Sequence, residues 1–323
     1  MRIALVLRPL TEQTMALARQ IGATDIVTVL PQEDRNGPVW DFQAIVRHKK
    51  RIEDAGLTWS VVESIPIPDR VKLGLPGRDE DIDHYCQNIR NLGAAGIPVM
   101  CYNWMAVFGW MRTSFTTRTR GGAHTSSYDH NLMVNAPLTE HGEIKEDLLW
   151  DTLEYFLKRV IPVAEAAGVK QGLHPDDPPI SPIRGISRII TSVEAYDRVL
   201  DIVPSEVNGV TFCQGNFKAM GVNVPDAIRH FAGQGKIAFA HFRDLKGQVP
   251  VFEEAFHDDG DTDMAAAMRA YLESGFEGPI RPDHVPLLAG EADDTPGYTL
   301  MGRLYAVGYM KGLLDGLGAT NRG

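Results

Sequence analysis

Eight short apolar, β-branched runs, separated by longer stretches of helical spacing, constrain this chain more than any other feature. The runs are Ile3–Leu7, Asp25–Leu30, Thr58–Glu63, Pro98–Asn103, Lys170–His174, Gly209–Cys213, Ile237–Phe242 and Pro279–Asp283. They read as strands. Between them, Leu149, Leu153, Phe156, Val160 and Val163 stand three or four apart, as residues on one helical face do. Met264, Met268, Tyr271 and Leu272 repeat the pattern, as do Leu300, Leu304 and Val307 near the end. Helices between strands imply parallel pairing, because parallel strands need a crossover. Eight such units predict a closed (β/α)8 TIM barrel; a doubly wound open sheet is the competing arrangement. The 323 residues suit one barrel, since that fold commonly runs to about 250 residues or more with insertions. No internal repeat, low-complexity stretch or linker divides the chain, so residues 1–323 are expected to form a single domain.

One stretch breaks the alternation. From Met105 to about Glu146, after the fourth strand, roughly forty residues show weak periodicity. The stretch carries Arg112, Arg118, Arg120, His124, Tyr128 and His130. It reads either as a solvated excursion or as a lid offering cations to an anionic substrate.

A net charge of -10 opposes nonspecific nucleic-acid binding, which needs a basic footprint. No apolar run approaches the roughly 20 residues of a membrane span, and the opening MRIALVLRPL is too soon interrupted for a signal peptide. The three cysteines form no paired framework and no C-x-x-C, which points to free thiols in a reducing cytoplasm. The expected partner is a small molecule, with no nucleic acid and no membrane, in a homo-oligomer.

In a barrel with helical crossovers, the C-terminal ends of the strands form the active face. The last four runs end in an ordered set of metal-ligand types. His174 stands in Gly172-Leu173-His174-Pro175-Asp176-Asp177-Pro178-Pro179, and Cys213 in Val210-Thr211-Phe212-Cys213-Gln214. His241 stands in Ala240-His241-Phe242-Arg243-Asp244, and Asp283 in Ile280-Arg281-Pro282-Asp283-His284. Neighbouring parallel strands lie about 4.8 Å apart, so the four side chains can converge on one ion. Two imidazoles, a thiolate and a carboxylate suit a divalent transition metal better than calcium or magnesium. Singly, each has a plainer reading: a hydrogen-bonding His, a buried small hydrophobe, a helix N-cap. Their coincidence in order favours the metal site. His284 follows Asp283 directly and would point the other way if the strand continued. If the strand ends there, its imidazole can turn over the site and serve as an acid or base. Tyr298, before the last helix, is a second proton-donor candidate.

Taken together, Trp59-Ser60-Val61-Val62-Glu63-Ser64, Cys101-Tyr102-Asn103-Trp104, His174-Pro175-Asp176-Asp177-Pro178-Pro179, Arg281-Pro282-Asp283-His284 and Gly297-Tyr298 with Arg303 resemble the mannonate dehydratase family. The resemblance covers most of the chain in the same order. It implies a xylose isomerase-like barrel and a manganese-dependent elimination of water from D-mannonate, a sugar acid of hexuronate catabolism, giving 2-keto-3-deoxy-D-gluconate. Iron(II) or another divalent transition metal would serve similarly. The resemblance also implies His174, Cys213, His241 and Asp283 as metal ligands and His284 with Tyr298 as the proton-transfer pair. Arg112, in Trp110-Met111-Arg112-Thr113, matches a lid position; Asn103 and Arg303 join it as implied substrate contacts. The chain departs from the family's pattern at Pro31-Gln32 and Val285-Pro286, in loops expected to face substrate. Two other readings compete: a metal-dependent sugar isomerase or epimerase on the same kind of barrel, and a sugar-acid-binding barrel without turnover. A 2-keto-3-deoxy acid, an isomeric sugar or no product distinguishes the three.

Overall fold

All eight expected runs form strands in the computed structural model, which describes residues 1–7, 9–292 and 297–319. They are β1 (Arg2–Val6), β2 (Asp25–Thr28), β3 (Thr58–Glu63), β4 (Val99–Asn103), β7 (Lys170–His174), β8 (Asn208–Cys213), β9 (Ile237–Phe242) and β12 (Pro279–Pro282). Every pairing among them is parallel, and the order β1-β12-β9-β8-β7-β4-β3-β2 closes on itself. The open-sheet alternative is thereby excluded. Residues 320–323, the end of the single-domain span, lie outside the described residues.

The barrel has two apolar layers. Small and β-branched side chains fill its interior, including Ala4, Val6, Val27, Val61, Val99, Cys101 and Ala238, with Phe239. The outward faces of the strands pack against the helices in a much larger core. Helix Glu146–Ala167 buries Leu149, Leu153, Phe156 and Val160, the expected stripe, and leaves Val163 partly buried. It stops at Gly168, whose φ of 67° is the left-handed conformation glycine adopts freely. In the last helix, Leu300–Gly316, the expected Leu300 is instead 38% exposed, whereas Val307, Met310 and Leu314 are buried. Leu300 is the first residue of the helix, so it lies beyond the edge of the barrel its later turns cover.

The stretch after β4 is not featureless. It contains β5 (Ser114–Arg118) and β6 (His124–Asp129), an antiparallel hairpin turning through Gly121 and Gly122 at positive φ. A second hairpin, β10 (Leu245–Gln248) and β11 (Val251–Glu254), follows β9. The two join into a four-stranded antiparallel sheet, β10-β11-β6-β5. Tyr128, Leu245 and Phe252 give it a small core with Ile183 and Ala219. Polar residues dominate β5 and β6, which hides them from a search for apolar alternation.

Just beyond the second hairpin, His257 is buried and its Nε2–H donates to the Phe242 carbonyl at 2.7 Å. Burial lowers its pKa from 6.5 to about 4. Between those values the unfolded chain binds the proton and the folded chain does not, so stability falls as pH drops through that window. From pH 7.5 to 5 the expected loss is about 2 kcal/mol. Urea denaturation of the wild type and His257→Asn at both pH values measures it. An equal loss in the two proteins would show that His257 does not carry it.

Candidate active site and metal centre

Strand register brings the ligand types together. Cys213 on β8 pairs with His241 on β9, and His241 pairs with Arg281 on β12. Asp283 follows the last residue of β12, its backbone N–H donating to the Phe242 carbonyl at 3.2 Å. Ligand atoms of His174, Cys213 and His241 all lie within 4.8 Å of one another. Asp283 Oδ2 stands 3.6 Å from both Cys213 Sγ and His241 Nδ1. Atoms sharing one ion at about 2.0–2.3 Å stand roughly 3.3–3.8 Å apart in a tetrahedron, a range into which both Asp283 distances fall.

The donor chemistry also fits a metal. The His174 Nδ1–H donates to the Pro175 carbonyl at 2.7 Å, which leaves Nε2 free to coordinate an ion. Both ring nitrogens of His241 are buried, and neither makes an aligned hydrogen bond. Buried polar atoms are costly without partners, and an ion supplies one. Burial and Arg281 work against a charged His241, yet the Glu63 and Asp283 carboxylates outweigh them and raise its pKa to about 9. The electrostatic field of this corner therefore favours positive charge.

β12 ends at Pro282, and the chain bends at His284. The bend turns the imidazole over the strand ends, into a cavity of about 210 Å³ that His174, His241, Asp283, Asn103 and Tyr298 also line. The last helix presses on the loop that follows: a Cβ on Gly302 would stand 2.6 Å from the Pro286 carbonyl oxygen. His284 Nδ1 lies 2.9 Å from Glu254 Oε1 and 2.7 Å from Arg243 Nη1. As a donor it serves Glu254; as an acceptor it serves Arg243. The first tautomer leaves Nε2 basic and the second makes Nε2–H an acid. Tyr298 stands edge-on to His284, ring centroids 5.2 Å apart. Burial, with the Asp283 charge, pushes its phenol well above the ordinary tyrosine range, so it keeps its proton.

Behind these groups lies a network of buried charge. Arg281 pairs Glu63 through two bonds, at 3.1 and 2.8 Å, and Asp283 at 2.7 Å. Arg243 contacts Asp177 at 3.2 Å, Glu254 at 3.3 Å and Asp283 at 3.1 Å, and donates to Asn216. Desolvation raises the pKa of each of these carboxylates, but the guanidiniums dominate: Glu254 is held down at about 2, and Glu63, Asp177 and Asp283 are lowered further.

Other expected site residues are placed differently. Asn103 ends β4 beside His174, lines the cavity and accepts from the Met105 N–H at 3.2 Å. The Arg112 guanidinium is fully buried behind the cavity wall, bonded to Asp177 at 2.6 and 3.1 Å and to Glu254 at 2.6 Å. From the same insertion, Met105 and Trp110 do line the cavity. Arg303 donates to the backbone carbonyls of Val6 and Thr299, and Val6 is part of the cavity wall. Arg112→Ala would leave the buried Asp177 and Glu254 carboxylates with Arg243 as their remaining guanidinium partner, so it is expected to cost about 3 kcal/mol of folding stability, the low end for breaking a buried pair. Urea unfolding of the variant decides this; an unchanged midpoint would mean that the network tolerates the loss.

Sequence reasoning did not single out Glu63, Arg243, Arg281 or Glu254 for the site. Two of them carried a signal. Arg243 lies two residues after His241 and Arg281 two before Asp283, the period that keeps strand side chains on one face. Glu254 sits on a polar hairpin with no motif around it.

A barrel with side chains of transition-metal ligand type, an imidazole backed by a carboxylate, and a protonated phenol at its strand ends has the make-up of the (β/α)8-barrel enzymes of acid–base chemistry. Comparison with known proteins narrows the class. The family model described as D-mannonate dehydratase (UxuA) matches residues 9–143 and 133–322. The mannonate dehydratase of Thermotoga maritima is 38% identical over 339 residues, covering 94% of each chain. The crystal structure of mannonate dehydratase from Streptococcus suis serotype 2 superposes with a TM-score of 0.90 at 34% identity, covering 99% of this chain and 95% of that one. A structure of L-ribulose 3-epimerase superposes with a TM-score of 0.63 at 16% identity, covering 98% and 95%, a likeness of fold alone. The chain belongs to the D-mannonate dehydratase family.

Proposed function

We propose that this protein removes water from D-mannonate to give 2-keto-3-deoxy-D-gluconate, with Mn2+ held by His174, Cys213, His241 and Asp283. The observation that carries the reading is one small cavity lined by metal-ligand side chains, the His284 imidazole and the Tyr298 phenol. A divalent ion held there would stabilise negative charge developing on the substrate's carboxylate and adjacent hydroxyl. His284, its Nδ1–H directed at Glu254, takes the C2 proton at Nε2. Tyr298, which keeps its proton in this environment, donates to the departing C3 hydroxyl. Asn103 offers an amide to substrate hydroxyls from the end of β4. Trp110 and Met105, with the hairpin behind them, act as the lid, and Arg112 anchors that lid to Asp177. Arg303 shapes the wall through Val6. The free thiols of Cys86, Cys101 and Cys213 support a reducing, cytoplasmic setting; among the described residues no helix is long and apolar enough to cross a membrane.

The test is incubation with a panel of aldonic acids and added Mn2+, detecting 2-keto-3-deoxy acids. Product from D-mannonate is expected. An isomeric sugar would establish isomerase or epimerase chemistry, and no product from any acid would leave a binding protein.

A further inference from the structure

Glu63, a carboxylate outside the proposed ligand set, lines the cavity and faces His241. It ends β3, three steps around the barrel from β12, and reaches across the mouth to His241 on β9. Its Oε1 lies 3.1 Å from His241 Nε2. The other ring nitrogen, Nδ1, lies 3.6 Å from Asp283 Oδ2, the same oxygen that stands 3.6 Å from Cys213 Sγ. Of the two ring nitrogens, Nδ1 is thus the one near the other ligands, and Nε2 the one within hydrogen-bond distance of Glu63, where a small turn of the ring would align the bond. Glu63 itself has no freedom to leave. Arg281 grips both its oxygens, at 3.1 and 2.8 Å, and with its remaining nitrogen holds Asp283 at 2.7 Å. One guanidinium thus clamps a proposed metal ligand and the carboxylate behind another.

We infer that Glu63 is a positioning residue, which accepts the Nε2–H of His241 and so commits Nδ1 to the metal, with Arg281 tying this carboxylate–imidazole pair to Asp283. The physical reason is general. A neutral imidazole has two tautomers, and the hydrogen bond made by one nitrogen decides which nitrogen coordinates. A carboxylate acceptor also makes the coordinating nitrogen a better donor to the ion. The two imidazoles are fixed by different means: His174 by a backbone carbonyl beside it in sequence, His241 by a side chain from across the barrel. The inference rests on the metal-site reading above.

The test uses the full chain loaded with Zn2+, a diamagnetic probe, with its histidines labelled with 15N. In the wild type, His241 is expected to show a metal-bound Nδ1 and a protonated Nε2. Coordination through Nε2 would overturn the inference. Chelator competition then compares the wild type with Glu63→Ala and Glu63→Gln, circular dichroism confirming that each is folded. Glu63→Ala is expected to bind Zn2+ about 10–100-fold more weakly, the usual effect of removing such a partner. Glu63→Gln keeps an acceptor oxygen and is expected to recover most of the affinity. Equal affinity in all three proteins would overturn the inference, as would Glu63→Gln binding no better than Glu63→Ala. Should Glu63→Ala not fold, the wild-type tautomer and the Gln variant still decide the matter. A wild type that takes up no ion at all would instead refute the metal site itself.

Discussion

His284→Asn is expected to lower kcat by about 10²–10⁴ while leaving the metal content unchanged, the range for loss of a general acid or base. The geometry makes the two effects separable. His284 lines the cavity, but its contacted nitrogen faces Glu254 and Arg243 rather than the ligand cluster. Removing the ring leaves those two paired with each other at 3.3 Å, and Glu254 still paired with Arg112, so the charge network behind the cavity survives. Metal analysis of the purified variant and its steady-state kinetics on D-mannonate give the answer. A variant that loses its metal would make His284 a ligand and reopen the role of Asp283. One that keeps both metal and full activity would shift the proton transfer to Tyr298.

The opposite outcome is expected for His174→Asn, which should lose bound metal and activity together. His174 is the ligand type whose tautomer is set beside it in sequence: Nδ1–H goes to the Pro175 carbonyl, so only Nε2 can coordinate. Asparagine cannot extend a nitrogen lone pair to the same point. Activity is expected to fall by at least the 10²–10⁴ of the His284 variant, because both the ion and its stabilisation of developing charge are lost. Dialysis of the wild type against a chelator should give the same inactive state, and added Mn2+ should restore the wild type but not the variant. A His174→Asn protein with full metal stoichiometry would remove His174 from the site. The contrast between two histidines at strand ends is the sharpest check on the arrangement, since their side chains are alike and only their surroundings differ.

Those surroundings divide into what could be read along the chain and what could not. Each of the eight barrel strands was legible because a strand buried between interior and helices must be apolar on both faces. The ligand types were legible for a related reason: His174, Cys213, His241 and Asp283 interrupt or end such runs, where a polar residue has to be explained. The antiparallel sheet was not legible. Its strands lie on the barrel rather than in it, and Ser114–Arg118 is polar or exposed along its length. Only the Gly121-Gly122 turn marked the hairpin. Arg112 was found as a residue of interest, but its charge suggested an anionic substrate, whereas its guanidinium is spent on Asp177 and Glu254.

By itself, then, the sequence determined the barrel, its active face and the side chains proposed to hold the metal, since these follow from local periodicity and residue chemistry. The tertiary structure decided how those side chains are held. Arg281 meets Glu63 across 218 positions of sequence, and Arg112 meets Glu254 across 142. Closing the barrel brings strand ends from both halves of the chain to one mouth, and burial there obliges every charge to find a partner. Neither the pairing nor the direction in which His284 turns leaves a periodic trace, because both depend on which strands become neighbours and where β12 stops.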